Sequence, residues 1–162
     1  MAQIYISLGS NVNKKHNLAV GLNTLLAHFP DSIHSSVYES EAVGFKGNNF
    51  YNSVLGARTN MPLDDVCRLL KSIELDNGRT RHDKKFSPRT LDLDLLFYDD
   101  VVCESPAQLP RDEVVKNAFV LLPLQEIAAD FYHPTEHKTI QEIYLDYCNP
   151  GQKLWKVEFE SL

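Results

Sequence analysis

The segment Leu91-Asp92-Leu93-Asp94-Leu95-Leu96 constrains this chain more than any other. Successive side chains on a β-strand point to opposite faces, so Leu91, Leu93 and Leu95 share one face and Asp92 and Asp94 the other. Burying the leucines obliges the sheet to hold both carboxylates on one surface, with Cα atoms roughly 6–7 Å apart. At about that distance, in a partly solvated site, the two repel by a few kcal/mol, so a cation has to offset them. Taken alone, Asp-x-Asp also describes an ordinary solvated strand face. The preceding segment changes its meaning. Five of the sixteen Lys and Arg residues (Arg79, Arg81, Lys84, Lys85 and Arg89) fall in eleven positions, opposed there only by Asp83.

The chain as a whole carries a net charge of −6, which argues against a chain-wide attraction to nucleic acid or anionic membrane. A basic island in an acidic chain points instead to a local anion such as a phosphate group. Charge runs are most often solvated loops, but this one leads directly into the acidic strand. Carboxylates that bind Mg²⁺ beside Arg and Lys that bind oxyanions are what a metal–triphosphate complex requires. No P-loop, kinase glycine loop or dinucleotide fingerprint occurs, so the phosphates of a bound nucleotide would be held by metal and side chains.

Periodicity predicts strands over 2–7, 33–40, 50–59 and 91–98, with the first ending at a turn cluster, Leu8-Gly9-Ser10-Asn11. A helix is expected from Leu18 to Phe29, stopped by Pro30. A second starts near Pro62, with Asn60 as a possible cap, Asp64 and Asp65 suiting the helix dipole, and an apolar face of Leu63, Val66, Leu70 and Ile73. The stretch 118–129 is apolar but interrupted by Pro123; 140–147 reads as helix, and Trp155, Val157 and Phe159 mark a final edge strand. The order β-α-β-β-α-β predicts an α+β, ferredoxin-like antiparallel sheet with both helices on one face, plus a C-terminal helix and strand extension. Residues 1–162 are expected to form a single domain. The longest apolar run, Ala118 to Leu122, is far short of the ~20 residues of a membrane span. No secretory signal is readable, and the three cysteines, Cys67, Cys103 and Cys148, lack Cys-x-x-Cys spacing. The expectation is a cytoplasmic monomer or weak dimer with reduced thiols, and no membrane or nucleic-acid partner.

Phe86-Ser87-Pro88-Arg89-Thr90-Leu91-Asp92-Leu93-Asp94-Leu95 resembles the signature of the 6-hydroxymethyl-7,8-dihydropterin pyrophosphokinase family of folate biosynthesis. The resemblance extends to Ser7-Leu8-Gly9-Ser10-Asn11, Ser36-Val37-Tyr38, Phe50-Tyr51-Asn52, Ile73-Glu74-Leu75 with Gly78-Arg79, Ala118-Phe119-Val120-Leu121 and Pro123-Leu124. It implies a ferredoxin-like fold that transfers the terminal pyrophosphate of ATP, the co-substrate, to the pterin hydroxymethyl oxygen, releasing AMP. By the family pattern, Asp92 and Asp94 bind two Mg²⁺ ions, and Arg79 and Arg89 act as catalytic residues. Asn52, Phe50, Phe119, Ser40, Val43 and Phe86 belong to the pterin side, and Glu74, Arg81, Arg111 and Leu70 to the nucleotide side. An amide offers donor and acceptor to a pterin edge, and aromatic rings stack on its flat face. The chain departs from the pattern at Arg111, where a histidine is usual, at Asn117 for arginine, at Glu41 for proline and at Phe86 for tryptophan. A divergent pterin-binding paralogue, either non-catalytic or with an altered substrate, is the main alternative reading.

Two other readings are weaker. A ferredoxin-like RNA-binding module would use the basic island, but the aromatic pair and glycine spacing of its strand signature are missing. His133-Pro134-Thr135-Glu136-His137 matches His-x-x-Glu-His, a zinc-protease order that needs both histidines on one helix face. Pro134 disfavours helix at His133, so the match is accidental.

Overall fold

The computed structural model describes residues 1–41, 49–78, 91–147 and 152–159. Its elements are β1 (Ala2–Ser10), α1 (Lys14–His28), β2 (Ile33–His34), β3 (Val37–Ser40), β4 (Phe50–Thr59), α2 (Leu63–Asp76) and β5 (Asp92–Tyr98). There follow α3 (Glu113–Lys116), α4 (Ala118–Ala128), β6 (Tyr132–His133), β7 (Lys138–Thr139), α5 (Ile140–Asp146) and β8 (Leu154–Val157). The main sheet runs β5-β1-β4-β3-β8, with β2 also paired to β4. Its described pairings are antiparallel. With β8 set aside, this is the strand order of the ferredoxin-like βαββαβ unit, as the sequence predicts.

Both faces of the sheet are covered. Ile4, Ile6, Leu8, Leu55, Leu91, Leu93 and Leu95 pack with Leu18, Leu22 and Leu25 of α1 and Val66, Leu70 and Ile73 of α2. On the opposite face Tyr5, Val54, Leu96 and Phe97 pack with Val120, Leu121 and Leu124 of α4 and Ile140 and Ile143 of α5. The two early helices thus share one face, and the C-terminal extension supplies a third layer. A register shift between Tyr5 and Ile6, opposite Phe97 and Leu95, makes this possible. The extra residue, Leu96, turns both Leu96 and Phe97 toward α4, whereas strict alternation from Leu95 would send Phe97 back toward α1 and α2.

Several local expectations are corrected. β1 does not end at Ser7: Leu8, Gly9 and Ser10 continue the ladder opposite Ser53, Asn52 and Tyr51. Pairing to both β4 and β5 overrides the weak strand preference of Gly9, and pairing to Tyr51 that of Ser10. The predicted strand 33–40 splits into β2 and β3, where Ser35 turns inward to bond Ser53 Oγ (3.0 Å) and to accept from the Val54 N–H (3.0 Å). Helix α2 is capped at Pro62, not Asn60, and its capping residue makes no side-chain cap bond. Pro123 does not break α4, which is buried along much of its length; packing compensates the missing backbone donor.

His133 and His137 do not share a helix. His133 lies in β6, His137 follows the turn at φ 57°, and β6 pairs with β7 as a hairpin. The buried His133 ring packs edge-on to Phe97 (centroids 5.3 Å apart), and its Nδ1 accepts from the N–H groups of Thr135 (3.2 Å) and Glu136 (3.1 Å). Burial therefore holds its pKa below the usual imidazole value. The contribution of a base held neutral in the fold is present above its unfolded pKa of about 6.5 and is lost as pH falls below that. Denaturation midpoints should therefore drop between pH 7 and pH 5.5, and His133→Asn, whose amide oxygen can accept the same N–H bonds, should flatten that drop. An unchanged pH profile in the variant would refute this role.

Candidate active site on one face of the sheet

The strand register brings the predicted residues together. Gly9 lies opposite Asp92 on one side and Asn52 on the other, and Ser7 lies likewise between Asp94 and Val54. On the α4 face the upper row therefore reads Asp92, Gly9, Asn52, Tyr38 across four strands. Strands are spaced roughly 4.8 Å apart, so the acid and the amide stand about 10 Å apart across the glycine. Gly9 forms the floor between them: a Cβ there would meet Asn52 Oδ1 at 3.4 Å and the Phe50 ring at 3.8 Å. The absence of a side chain keeps the space open.

Asn52 is buried near the start of β4, and its Nδ2 donates to Ser40 Oγ at 2.8 Å. Ser40 and Phe50 are opposite each other in the ladder, so Ser40, Phe50 and Asn52 form one cluster. Phe119, at the start of α4, packs against the core on this same side. Val43, Arg79, Arg81, Phe86 and Arg89 lie outside the described residues.

Asp92 and Asp94 are both half-buried on the α4 face at the sheet's edge strand. Burial, then the charge of Asp92, push the Asp94 carboxyl up to about 7, with Glu113 and Glu74 adding to the rise and Arg111 opposing it. Arg111 Nη2 sits 3.2 Å from Asp94 Oδ1 while its Nε donates to Glu113 Oε1 at 3.3 Å. Its position follows from the chain before it. Cys103 and Leu109 exchange backbone bonds (3.0 and 2.9 Å), and the Arg111 N–H then donates to the Leu96 carbonyl at 3.1 Å. Glu74, from α2, accepts the Leu93 N–H at 2.8 Å, tying the helix to β5 between the two aspartates. Leu70 is 4 % exposed within the α1–α2 core, so it backs α2 from beneath. Asn117 joins α3 to α4 and accepts from Gln152 Nε2 at 3.2 Å.

The donor set suits a hard cation. It consists of carboxylate oxygens, and Mg²⁺ is typically held by one or two carboxylates together with substrate phosphates. No group of three His, Cys, Asp or Glu side chains able to hold an ion occurs among the described residues, and Mg²⁺ commonly completes such a two-carboxylate site with water and phosphate oxygens. Burial first, and then the neighbouring Asp92 charge that Arg111 offsets only in part, keep the Asp94 pKa raised.

Three features escaped the sequence reading: Gly9 as the floor, Ser7 between Asp94 and Val54, and Glu113 as a second partner of Arg111. A glycine inside an alternating stretch was the available signal for the first.

These features define a ferredoxin-like α+β domain with an acidic pair and an amide-lined recess on one face. A profile of the 7,8-dihydro-6-hydroxymethylpterin-pyrophosphokinase family matches residues 5–129, and the chain belongs to that family. A protein of Aquifex aeolicus named 2-amino-4-hydroxy-6-hydroxymethyldihydropteridine pyrophosphokinase is 34% identical over 145 residues, 88% of this chain and 90% of its own length. One of the same name from Pseudomonas aeruginosa is 31% identical, covering 82% of this chain and 84% of its own length. The folic acid synthesis protein FOL1 of Dictyostelium discoideum is 30% identical over 91% of this chain, which spans only 23% of that longer protein. The crystal structure of Plasmodium falciparum HPPK-DHPS with SDX-DHP superposes with a TM-score of 0.66 at 14% identity, over 90% of this chain and 43% of that one, and shows the shared fold.

An acid whose folded pKa lies above its unfolded value of 3.8 stabilises the fold at low pH, and that contribution is lost as pH rises through about 7. In metal-free buffer at pH 8, Asp94→Asn should therefore raise folding stability by on the order of 2 kcal/mol, a figure reduced for solvent screening. Urea denaturation at pH 8 and pH 5 checks this: a gain at pH 5 equal to that at pH 8 would contradict it.

Proposed function

We infer that this protein transfers the terminal pyrophosphate of ATP to the hydroxymethyl oxygen of 6-hydroxymethyl-7,8-dihydropterin and releases AMP, with residues 1–162 working as one unit. The observation that carries this reading is the row Asp92, Gly9, Asn52. It sets a cation-seeking pair and an amide about 10 Å apart across an open floor, room for a phosphate group on one side and a flat heterocycle on the other.

Asp92 and Asp94 would hold Mg²⁺, two ions by the family pattern, which when bound neutralise triphosphate charge and lower the pKa of the attacking hydroxyl. The chain's own groups do the positioning. Asn52 presents its Oδ1 toward the Gly9 floor because Ser40 takes its Nδ2, so the amide is orientated to accept from a pterin N–H. Phe50, whose ring lies beside Gly9, is assigned to the pterin together with Phe119, Val43 and Phe86. Arg111 supplies a guanidinium for phosphate oxygens, while Glu74 and Leu70 fix the helix behind the nucleotide side. Arg79, Arg81 and Arg89 are assigned to the charge that develops on the transferred group.

The direct test is AMP release from ATP, Mg²⁺ and hydroxymethyl-dihydropterin, run beside pterins that lack the hydroxymethyl group. Turnover only with the hydroxymethyl compound is expected; pterin binding without AMP release would leave a non-catalytic binder. Asp94→Ala should abolish turnover, and Arg89→Ala should lower kcat far more than it weakens ATP binding. Asn52→Ala should raise the KM for pterin about 10- to 100-fold while leaving that for ATP within about twofold, since it removes one buried hydrogen-bonding group. Gly9→Val, acceptable to a strand, should weaken pterin binding without lowering the melting temperature. A wild-type pterin KM in Gly9→Val would show that the floor is not part of the recess.

A further inference from the structure

Arg111 holds the acidic pair in a particular way. Its guanidinium spans two carboxylates, Nη2 at 3.2 Å from Asp94 Oδ1 and Nε at 3.3 Å from Glu113 Oε1. Its backbone N–H is fixed to the Leu96 carbonyl at 3.1 Å, so the residue is anchored at the main chain, and its side chain is 30% exposed. Asp94 faces negative charge from Asp92, Glu113 and Glu74, and among the described residues the cation acting on it is Arg111. A chain that uses Asp94 for a divalent cation therefore carries its own competitor for that oxygen.

We propose that Arg111 is a built-in counter-ion of the acidic pair, occupying Asp94 while no metal is bound and moving to the nucleotide phosphates when metal and nucleotide arrive together. Glu113 is the pivot. It keeps Nε while Nη2 leaves Asp94, and the two Nη groups of the planar fork then offer paired donors to phosphate oxygens. The consequence is an order of loading. Metal alone must displace a guanidinium already paired with that carboxylate and binds weakly. Metal with ATP supplies both a dication for Asp94 and a new anion for Arg111, so the two bind synergistically. Arg111 thus suppresses metal binding in the absence of nucleotide and binds the phosphates in its presence. The proposal rests on the reading of Asp92 and Asp94 as metal ligands.

The test measures Mn²⁺ affinity, by the electron paramagnetic resonance signal of the free ion, with and without a nonhydrolysable ATP analogue. For the wild type, affinity should rise at least tenfold when the analogue is added. Arg111→Met should bind Mn²⁺ alone about tenfold more tightly than the wild type and lose most of the gain from nucleotide. Arg111→Gln should behave in the same way, which keeps the test from hanging on the folding of one variant. Arg111→Lys, which retains the charge, should stay near the wild type. Loss of a purely structural support would weaken Mn²⁺ binding, the opposite direction. Equal or weaker binding of Mn²⁺ alone in both neutral variants overturns the counter-ion role and leaves the metal reading standing. Asp94→Asn serves as the control: Mn²⁺ binding as in the wild type, with and without nucleotide, would overturn the metal reading itself.

Discussion

Everything at this site depends on three leucines outweighing one repulsion. Leu91, Leu93 and Leu95 are at most 4 % exposed. Each buried leucine contributes about 1.5–3 kcal/mol relative to leaving it in water. The repulsion between carboxylates roughly 6–7 Å apart is only about 2–3 kcal/mol at an effective dielectric near 20. Burial wins, and the strand holds two like charges side by side because its other face belongs to the core. The pKa of Asp94 is raised first by burial and then by the charge of Asp92.

The surrounding architecture manages this charge. Glu74 fastens α2 to the backbone between the aspartates, and the excursion closed by Cys103 and Leu109 returns the chain so that Arg111 meets Asp94. On the far side of the glycine floor, Ser40 settles the orientation of the Asn52 amide. Glu126 of α4 accepts from Ser36 N–H (2.9 Å), Ser36 Oγ (2.7 Å) and Tyr38 Oη (2.7 Å). It thereby ties the helix layer to the strand that carries Ser40, so acid, floor and amide are each backed by an element anchored elsewhere in the fold.

Much of this was legible beforehand where local pattern and tertiary demand agree. The strand 50–59 matches β4, because its apolar and β-branched residues meet partners on both edges. Helix α2 was legible through its spaced apolar face. The readings failed where neighbours overrode local preference. Gly9 looked like a turn because glycine has no strand preference of its own, yet it is paired on both sides. Pro123 looked like a break, yet the helix it sits in is packed into the core. Asn60 looked like a cap although the neighbouring Pro62 takes that place, and Ser35-Ser36 looked like continuous strand because the inward turn of Ser35 leaves no local trace.

The amino-acid order alone settled the alternation that puts Asp92 and Asp94 on one face, and the succession of strands and helices that yields the ferredoxin-like order. These follow from periodicities of two and 3.6 residues, which are properties of the chain. Tertiary structure alone decided that this face is covered by α4 rather than by water, that one extra residue in β5 turns Phe97 with it, and that Arg111 meets Asp94 seventeen positions earlier in the chain. Those outcomes depend on register and on which surfaces meet, and no window of neighbouring residues contains that information.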